Sequence, residues 1–212
     1  MTTSVFAGPK RGVDRAVLLT HGAGADLEAP ALVAVADALA ARGIPSLRCN
    51  YPYRDAGRKA PDRPAVLLAA TRAAAADLAE RTKLDPERLV VGGRSMGGRY
   101  CSLIVADADD PLPALGLLLL GYPLHPAGRP DGPRVEHLGR IRMPTLFVSG
   151  TRDALGAKPA LRRAARRVKG PVSWHWIETG DHSFKPLKSS GLTYDDVLHD
   201  LAAASADWVA SL

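Results

Sequence analysis

Short apolar runs alternate along this chain with longer stretches of helical period. Ala16–Thr20, Ile44–Cys49, Arg88–Gly92, Leu115–Leu120, Thr145–Ser149 and Val172–Ile177 read as six strands. Most are apolar at successive positions, which marks strands covered on both faces, as in a parallel sheet. Leu115–Leu120 is ambiguous by periodicity alone, but its length and the flanking Pro113 and Gly121 favour a strand. Between the strands, residues 28–42 gather Leu32, Val35 and Leu39 on one helical face, with Gly43 behind the end. Residues 64–82 turn Leu67, Ala70, Ala74 and Leu78 inward, and a helix from Met96 to about Ala106 stops before Asp109-Asp110-Pro111. Thr193 and Asp196 form a capping box ahead of a final helix with the stripe Val197, Leu201, Ala204 and Trp208. The alternation predicts an α/β fold: a mostly parallel central sheet with helices on both faces, in one domain spanning residues 1–212.

In such sheets ligands bind beyond the carboxyl ends of the strands. The loops there are His21-Gly22-Ala23-Gly24, Gly93-Arg94-Ser95-Met96-Gly97-Gly98, Tyr122-Pro123-Leu124-His125, Gly150-Thr151-Arg152-Asp153 and Gly180-Asp181-His182-Ser183-Phe184. The second has the pattern G-x-S-x-G between a strand and a helix. A sharp turn of this kind lifts the serine hydroxyl above the sheet, and its glycines admit the neighbouring chain. A serine hydroxyl needs a base, and the base needs an acid that orients it. Ser95, Asp153 and His182 supply these in the chain order nucleophile, acid, histidine.

The rivals for each role are weaker. His175 sits inside a strand between Trp174 and Trp176, where a packed histidine is expected, and His199 lies within the last helix. His21 precedes the serine and suits the shaping of an oxyanion loop. His125 and His137 lie after the fourth predicted strand and are candidates for a pocket wall. Asp181 adjoins His182 in sequence, and adjacent side chains point apart, so it reads as a turn residue. The backbone N–H groups of Met96 and Ala23 are the candidate oxyanion donors. His21, Tyr51, Tyr53, Arg54, Tyr122 and His125 are candidate pocket residues. Arg94 reads as the partner of a structural carboxylate rather than of a substrate acid.

Composition narrows the rest. The 212 residues carry a formal charge of +6, yet the densest basic cluster, Arg162, Arg163, Arg166, Arg167 and Lys169, lies opposite the stripe Leu161, Ala164, Ala165 and Val168. A solvated helix face accounts for it, so no nucleic-acid partner is expected. No apolar run is long enough for a membrane helix, and the N-terminus lacks a signal-peptide core, which points to a cytoplasmic protein. The two cysteines, Cys49 and Cys101, lie in apolar segments and read as buried free thiols. No metal and no cofactor is expected. The oligomeric state is not legible.

With these residues assembled, the chain resembles the α/β-hydrolase superfamily from about Ala16 to Phe184. More narrowly, Gly92-Gly93-Arg94-Ser95-Met96-Gly97-Gly98-Arg99, Gly121-Tyr122-Pro123-Leu124-His125-Pro126 and Gly150-Thr151-Arg152-Asp153 resemble a small capless family. That family is related to dienelactone hydrolases and includes the third subunit of the nonspecific-lethal histone acetyltransferase complex. The resemblance implies Ser95 as nucleophile, Asp153 as acid and His182 as base. Dienelactone hydrolases proper carry cysteine where this chain has Ser95, so dienelactone itself is not the implied substrate. Gly121 to Met143 is too short for a cap domain, which implies an open, shallow pocket suited to small or extended soluble substrates rather than long lipids. The expected function is hydrolysis of a carboxylic ester or thioester through an acyl-enzyme. Two alternatives stand beside it: a non-catalytic interaction module on the same fold, as the complex subunit suggests, and acyl transfer to an acceptor other than water.

Overall fold

The computed structural model describes residues 2–126, 128 and 134–212. Seven strands form one sheet: β1 (Ser4–Ala7), β2 (Ala16–Thr20), β3 (Ser46–Cys49), β4 (Leu89–Arg94), β5 (Gly116–Leu120), β6 (Thr145–Gly150) and β7 (Val172–Ile177). Their order across the sheet is β1-β3-β2-β4-β5-β6-β7. All neighbours are parallel except β1, which runs antiparallel to β3 at one edge. Six strands match the apolar runs. The edge strand β1 has no counterpart in the sequence reading: its four residues are all half-buried and carry no alternation to detect.

Helices α1 (Pro30–Ala40), α2 (Pro52–Asp55), α3 (Pro64–Thr82), α4 (Met96–Val105), α5 (Lys158–Ala165) and α6 (Tyr194–Ala210) complete the fold. Helix α1 is shorter than residues 28–42 because Pro30 supplies its first turn and Ala41 caps its end. The capping box at Thr193 is present, with Asp196 N–H donating to the Thr193 hydroxyl and Thr193 N–H to the Asp196 carboxylate.

Successive strand residues face opposite layers, so the continuous apolar runs fill two cores. Leu18, Val91, Leu117, Leu119 and Phe147 pack with α3, α4 and α5 on one side. Val17, Leu19, Val90, Leu118, Leu120 and Val148 pack with α1 and α6 on the other. Helices therefore cover both faces, and the described residues form no separate cap domain. Ala127 and residues 129–133, within the connection read as too short for a lid, lie outside the described residues.

Cys49 and Cys101 are buried free thiols in the first core, and burial pushes both up to about 12, so neither is a thiolate at neutral pH. The basic cluster faces outward from Leu161, Ala164, Ala165 and Val168, as its spacing predicts. Arg162 also lies over the stacked rings of Trp174 and Trp176, and Lys158 over that of Trp176. Among the described residues no helix is long and apolar enough to cross a membrane.

His137, a candidate pocket residue, is instead buried beside α4. Its Nε2 lies 2.9 Å from Ser102 Oγ and 3.2 Å from Tyr122 OH. Burial brings this histidine from the ordinary 6.5 down to about 4. The unfolded chain therefore takes up the proton first as pH falls, and stability drops between pH 6.5 and about 4. The expected contribution across that window is about 3 kcal/mol. Urea unfolding of wild type and His137→Gln at several pH values checks this: the variant should lose less stability on acidification, and an unchanged pH slope would refute it.

Candidate active site

The site forms at the carboxyl ends of β4, β6 and β7. Ser95 sits between β4 and α4 at φ 52 and ψ −113, a strained conformation for a residue with a side chain. Its N–H donates to Leu120 O at 2.8 Å, tying the turn to the end of β5. The glycines on either side are required by space. A Cβ at Gly93 or at Gly97 would run into the carbonyl oxygen of Thr20 on the neighbouring strand. Backbone cannot yield as a flexible side chain can. Gly97→Ala is expected to cost about 1–3 kcal/mol through overpacking. A chemical denaturation midpoint equal to wild type would contradict that.

Asp153 follows β6 and is buried, at 2% exposure. Both carboxylate oxygens lie 2.9 Å from His182 Nδ1, and Oδ1 also accepts the Leu155 N–H at 2.8 Å. The acid loop is laced to the histidine loop: Arg152 N–H donates to Gly180 O, and Thr179 N–H to Thr151 Oγ1. His182 Nε2 lies 3.0 Å from Ser95 Oγ. Asp181 is the turn residue its position suggests, since its Oδ1 accepts the N–H groups of Ser183 and Lys185. The arrangement leaves one self-consistent tautomer: Nδ1–H donates to Asp153, and the Nε2 lone pair faces the serine hydroxyl. Such a chain can take a proton from Ser95 as its oxygen attacks a carbonyl, while Asp153 holds the imidazole and stabilises its charged form.

Met96 opens α4, so its N–H is a first-turn donor without a partner inside the helix. Ala23 borders the same cleft as Ser95 and His182. The residues behind Ala23 correct part of the pocket expectation. His21, Tyr51, Tyr53 and Tyr122 are at most 1% exposed and do not line the cleft. Helix α2 turns the two loop tyrosines inward. Tyr53 OH donates to Ala23 O at 2.7 Å, His21 Nδ1–H donates to Gly22 O at 2.8 Å, and Tyr51 N–H donates to His21 Nε2 at 3.0 Å. Burial lowers the pKa of His21, which keeps this neutral pairing intact. These three residues therefore brace the loop that carries Ala23. Tyr122 packs against Phe147 and joins the Ser102–His137 group. Arg54 reaches the surface carboxylate of Asp26. Of the pocket candidates only His125 borders a cleft at Ser95, a second one on the other side of the serine.

Ser95 lies where two open clefts meet. One, of about 460 Å³, runs past Arg94, His182, Tyr194 and the start of α1. The other, of about 370 Å³, is lined by Leu67, Met96, Tyr100, Pro123 and His125 among others. Leu155 borders both. Tyr100, Leu155 and Tyr194 were not legible as site residues, because distant loops and helices bring them there. Arg94 departs from expectation too. Among the described residues it has no carboxylate partner; it donates to the His182 carbonyl and lies 3.2 Å from His182 Nε2.

Strand order, the strand–turn–helix at Ser95 and the two cores together define an α/β-hydrolase fold. The chain belongs to the alpha/beta hydrolase family whose domain model matches residues 13–210. Solved structures share the fold at low identity. Est1E from Butyrivibrio proteoclasticus, determined with ferulic acid bound, superposes with a TM-score of 0.73 at 17% identity over 99% of this chain and 94% of its own. A dienelactone hydrolase from Anabaena variabilis gives 0.67 at 20% identity, covering 98% and 90%. A serine hydrolase without lid from Xanthomonas campestris gives 0.66 at 19% identity, covering 97% and 88%.

Proposed function

We propose that this protein is a single-domain serine hydrolase that cleaves carboxylic esters or thioesters through an acyl-enzyme. The observation that carries the reading is the chain from Ser95 Oγ to His182 Nε2, at 3.0 Å, and from His182 Nδ1 to the Asp153 carboxylate, at 2.9 Å. Ser95 attacks the substrate carbonyl and passes its proton to His182. The N–H groups of Met96 and Ala23 receive the developing oxyanion. His182 then protonates the leaving group, and water, deprotonated by the same imidazole, releases the acid. No metal or cofactor has a step in this sequence. The motifs around Ser95, Tyr122 and Asp153 support membership of the capless dienelactone-hydrolase-related group that includes the histone acetyltransferase complex subunit. The substrate is a small soluble molecule rather than a nucleic acid, and the setting cytoplasmic.

Hydrolysis of p-nitrophenyl esters of rising acyl length tests the reading. The expected result is turnover that peaks at short to medium chains, because both clefts are small and open. No turnover of any ester, by a folded protein, would favour a non-catalytic module on the same fold. Product other than the free acid when alcohols or peroxide are supplied would favour acyl transfer.

A further inference from the structure

We propose that Arg94 receives a carboxylate carried by the substrate close to its scissile carbonyl, so that the site selects anionic esters. This rests on the ester-hydrolase reading above. A half-buried guanidinium is normally paired with a carboxylate, because desolvating an uncompensated charge is costly. Arg94 has no such partner among the described residues. Its contacts are the His182 carbonyl, His182 Nε2 and the face of Phe184, whose centroid lies 5.3 Å from the guanidinium carbon. Burial lowers its pKa, the mark of a cation held without full compensation. The two nearby acids are already engaged: Asp153 by His182 and the Leu155 N–H, Asp181 by the N–H groups of Ser183 and Lys185.

The cleft beside Arg94 suits an anion. Among the described residues its lining includes no acidic side chain. Ala29, the N-cap of α1, and its first residues Pro30 and Ala31 border it, and no side chain caps that helix end. The helix N-terminus adds partial positive charge on the same side as Arg94.

Position sets the size of the substrate. Ser95 Oγ and Arg94 Nη1 lie 3.0 and 3.2 Å from the same His182 Nε2, so they are at most about 6 Å apart. A carbonyl at Ser95 and a carboxylate at Arg94 can then be separated by only about three or four bonds. The same distances put two donors on one lone pair, which takes one strong hydrogen bond. A substrate carboxylate that draws the guanidinium away leaves Nε2 to the serine hydroxyl alone. Arg94 thus couples recognition of the anion to readiness of the base.

The test compares the p-nitrophenyl monoester of succinic acid with the p-nitrophenyl ester of levulinic acid, a neutral near-isostere, each corrected for spontaneous hydrolysis. Wild type should prefer the succinyl ester by about ten- to a hundredfold in kcat/KM, the range of a charge-assisted hydrogen bond. Arg94→Gln should bring the ratio of the two substrates close to one, and Arg94→Lys should keep part of it. A residue that only positions His182 would lower both rates together and leave the ratio unchanged, which would overturn the proposal. So would equal turnover of the two esters by wild type. If Arg94→Gln does not fold, free succinate and neutral succinamide are compared as inhibitors of levulinyl ester hydrolysis by wild type. Selective inhibition by succinate supports the proposal, and equal inhibition overturns it. Turnover of the levulinyl ester without preference sinks the anion proposal alone. Absence of turnover on both esters, with no labelling of Ser95 by a fluorophosphonate, sinks the hydrolase reading itself.

Discussion

Ser95→Ala is expected to remove ester hydrolysis while leaving the fold intact, with kcat falling by a factor on the order of 10⁴ to 10⁶. The size of the loss follows from the chemistry. Without Oγ there is no acyl-enzyme, and the imidazole can at best act as a base toward water, a far slower route than attack by a positioned hydroxyl. The fold should survive because the turn is fixed by groups the substitution leaves in place: Ser95 N–H on Leu120 O, and Gly93 and Gly97 against Thr20. Alanine must adopt the same positive φ, so the strain at the elbow is unchanged. The measurement is steady-state kinetics on the best p-nitrophenyl ester, with thermal melts of both proteins. A variant that keeps a tenth or more of the wild-type kcat would remove Ser95 from the mechanism.

The second large effect belongs to Asp153→Asn, which should lower kcat by about 10⁴-fold. The substitution preserves shape but replaces one acceptor oxygen with a donor. Both carboxylate oxygens now face His182 Nδ1 at 2.9 Å, and one of them also takes the Leu155 N–H. Asparagine satisfies Leu155 with its single oxygen and turns its NH₂ toward Nδ1. The imidazole then carries its proton on Nε2, toward Ser95, and has no lone pair to receive one. It also loses the anion that stabilises the imidazolium. Kinetics should show the loss mainly in kcat, since the substitution leaves the lining of both clefts beside Ser95 unchanged. A loss confined to KM would contradict the assignment.

The legible part of this molecule is the part that short-range pattern controls. Runs such as Leu115–Leu120 announce strands buried on both faces, and the elbow glycines follow from close backbone approach, here to Thr20. The places of Ser95, Asp153 and His182 at the ends of β4, β6 and β7 follow from the order of elements. What escaped depends on where loops travel. Tyr51 and Tyr53 look like cleft residues because they lie in a polar loop beyond a strand. The short helix α2 folds them under Ala23 instead, as braces. His137 and Tyr122 go the same way, into a buried polar group beneath α4. Arg94 stands beside the serine in sequence, so its nearness was visible. Its lack of a carboxylate partner was not, because that depends on how Asp153 and Asp181, on two other loops, are engaged. The edge strand β1 was invisible because four half-buried residues at a sheet margin leave no periodic trace.

The central claim is that Ser95 is a nucleophile activated by His182 and Asp153. Intact-protein mass spectrometry after reaction with a fluorophosphonate tests it most directly, followed by peptide mapping, on wild type, Ser95→Ala and Asp153→Asn. The account predicts one adduct per chain on wild type, mapped to Ser95, formed much more slowly by Asp153→Asn and not at all by Ser95→Ala. A folded wild-type protein that takes up no adduct, or equal labelling of wild type and Ser95→Ala, would contradict it.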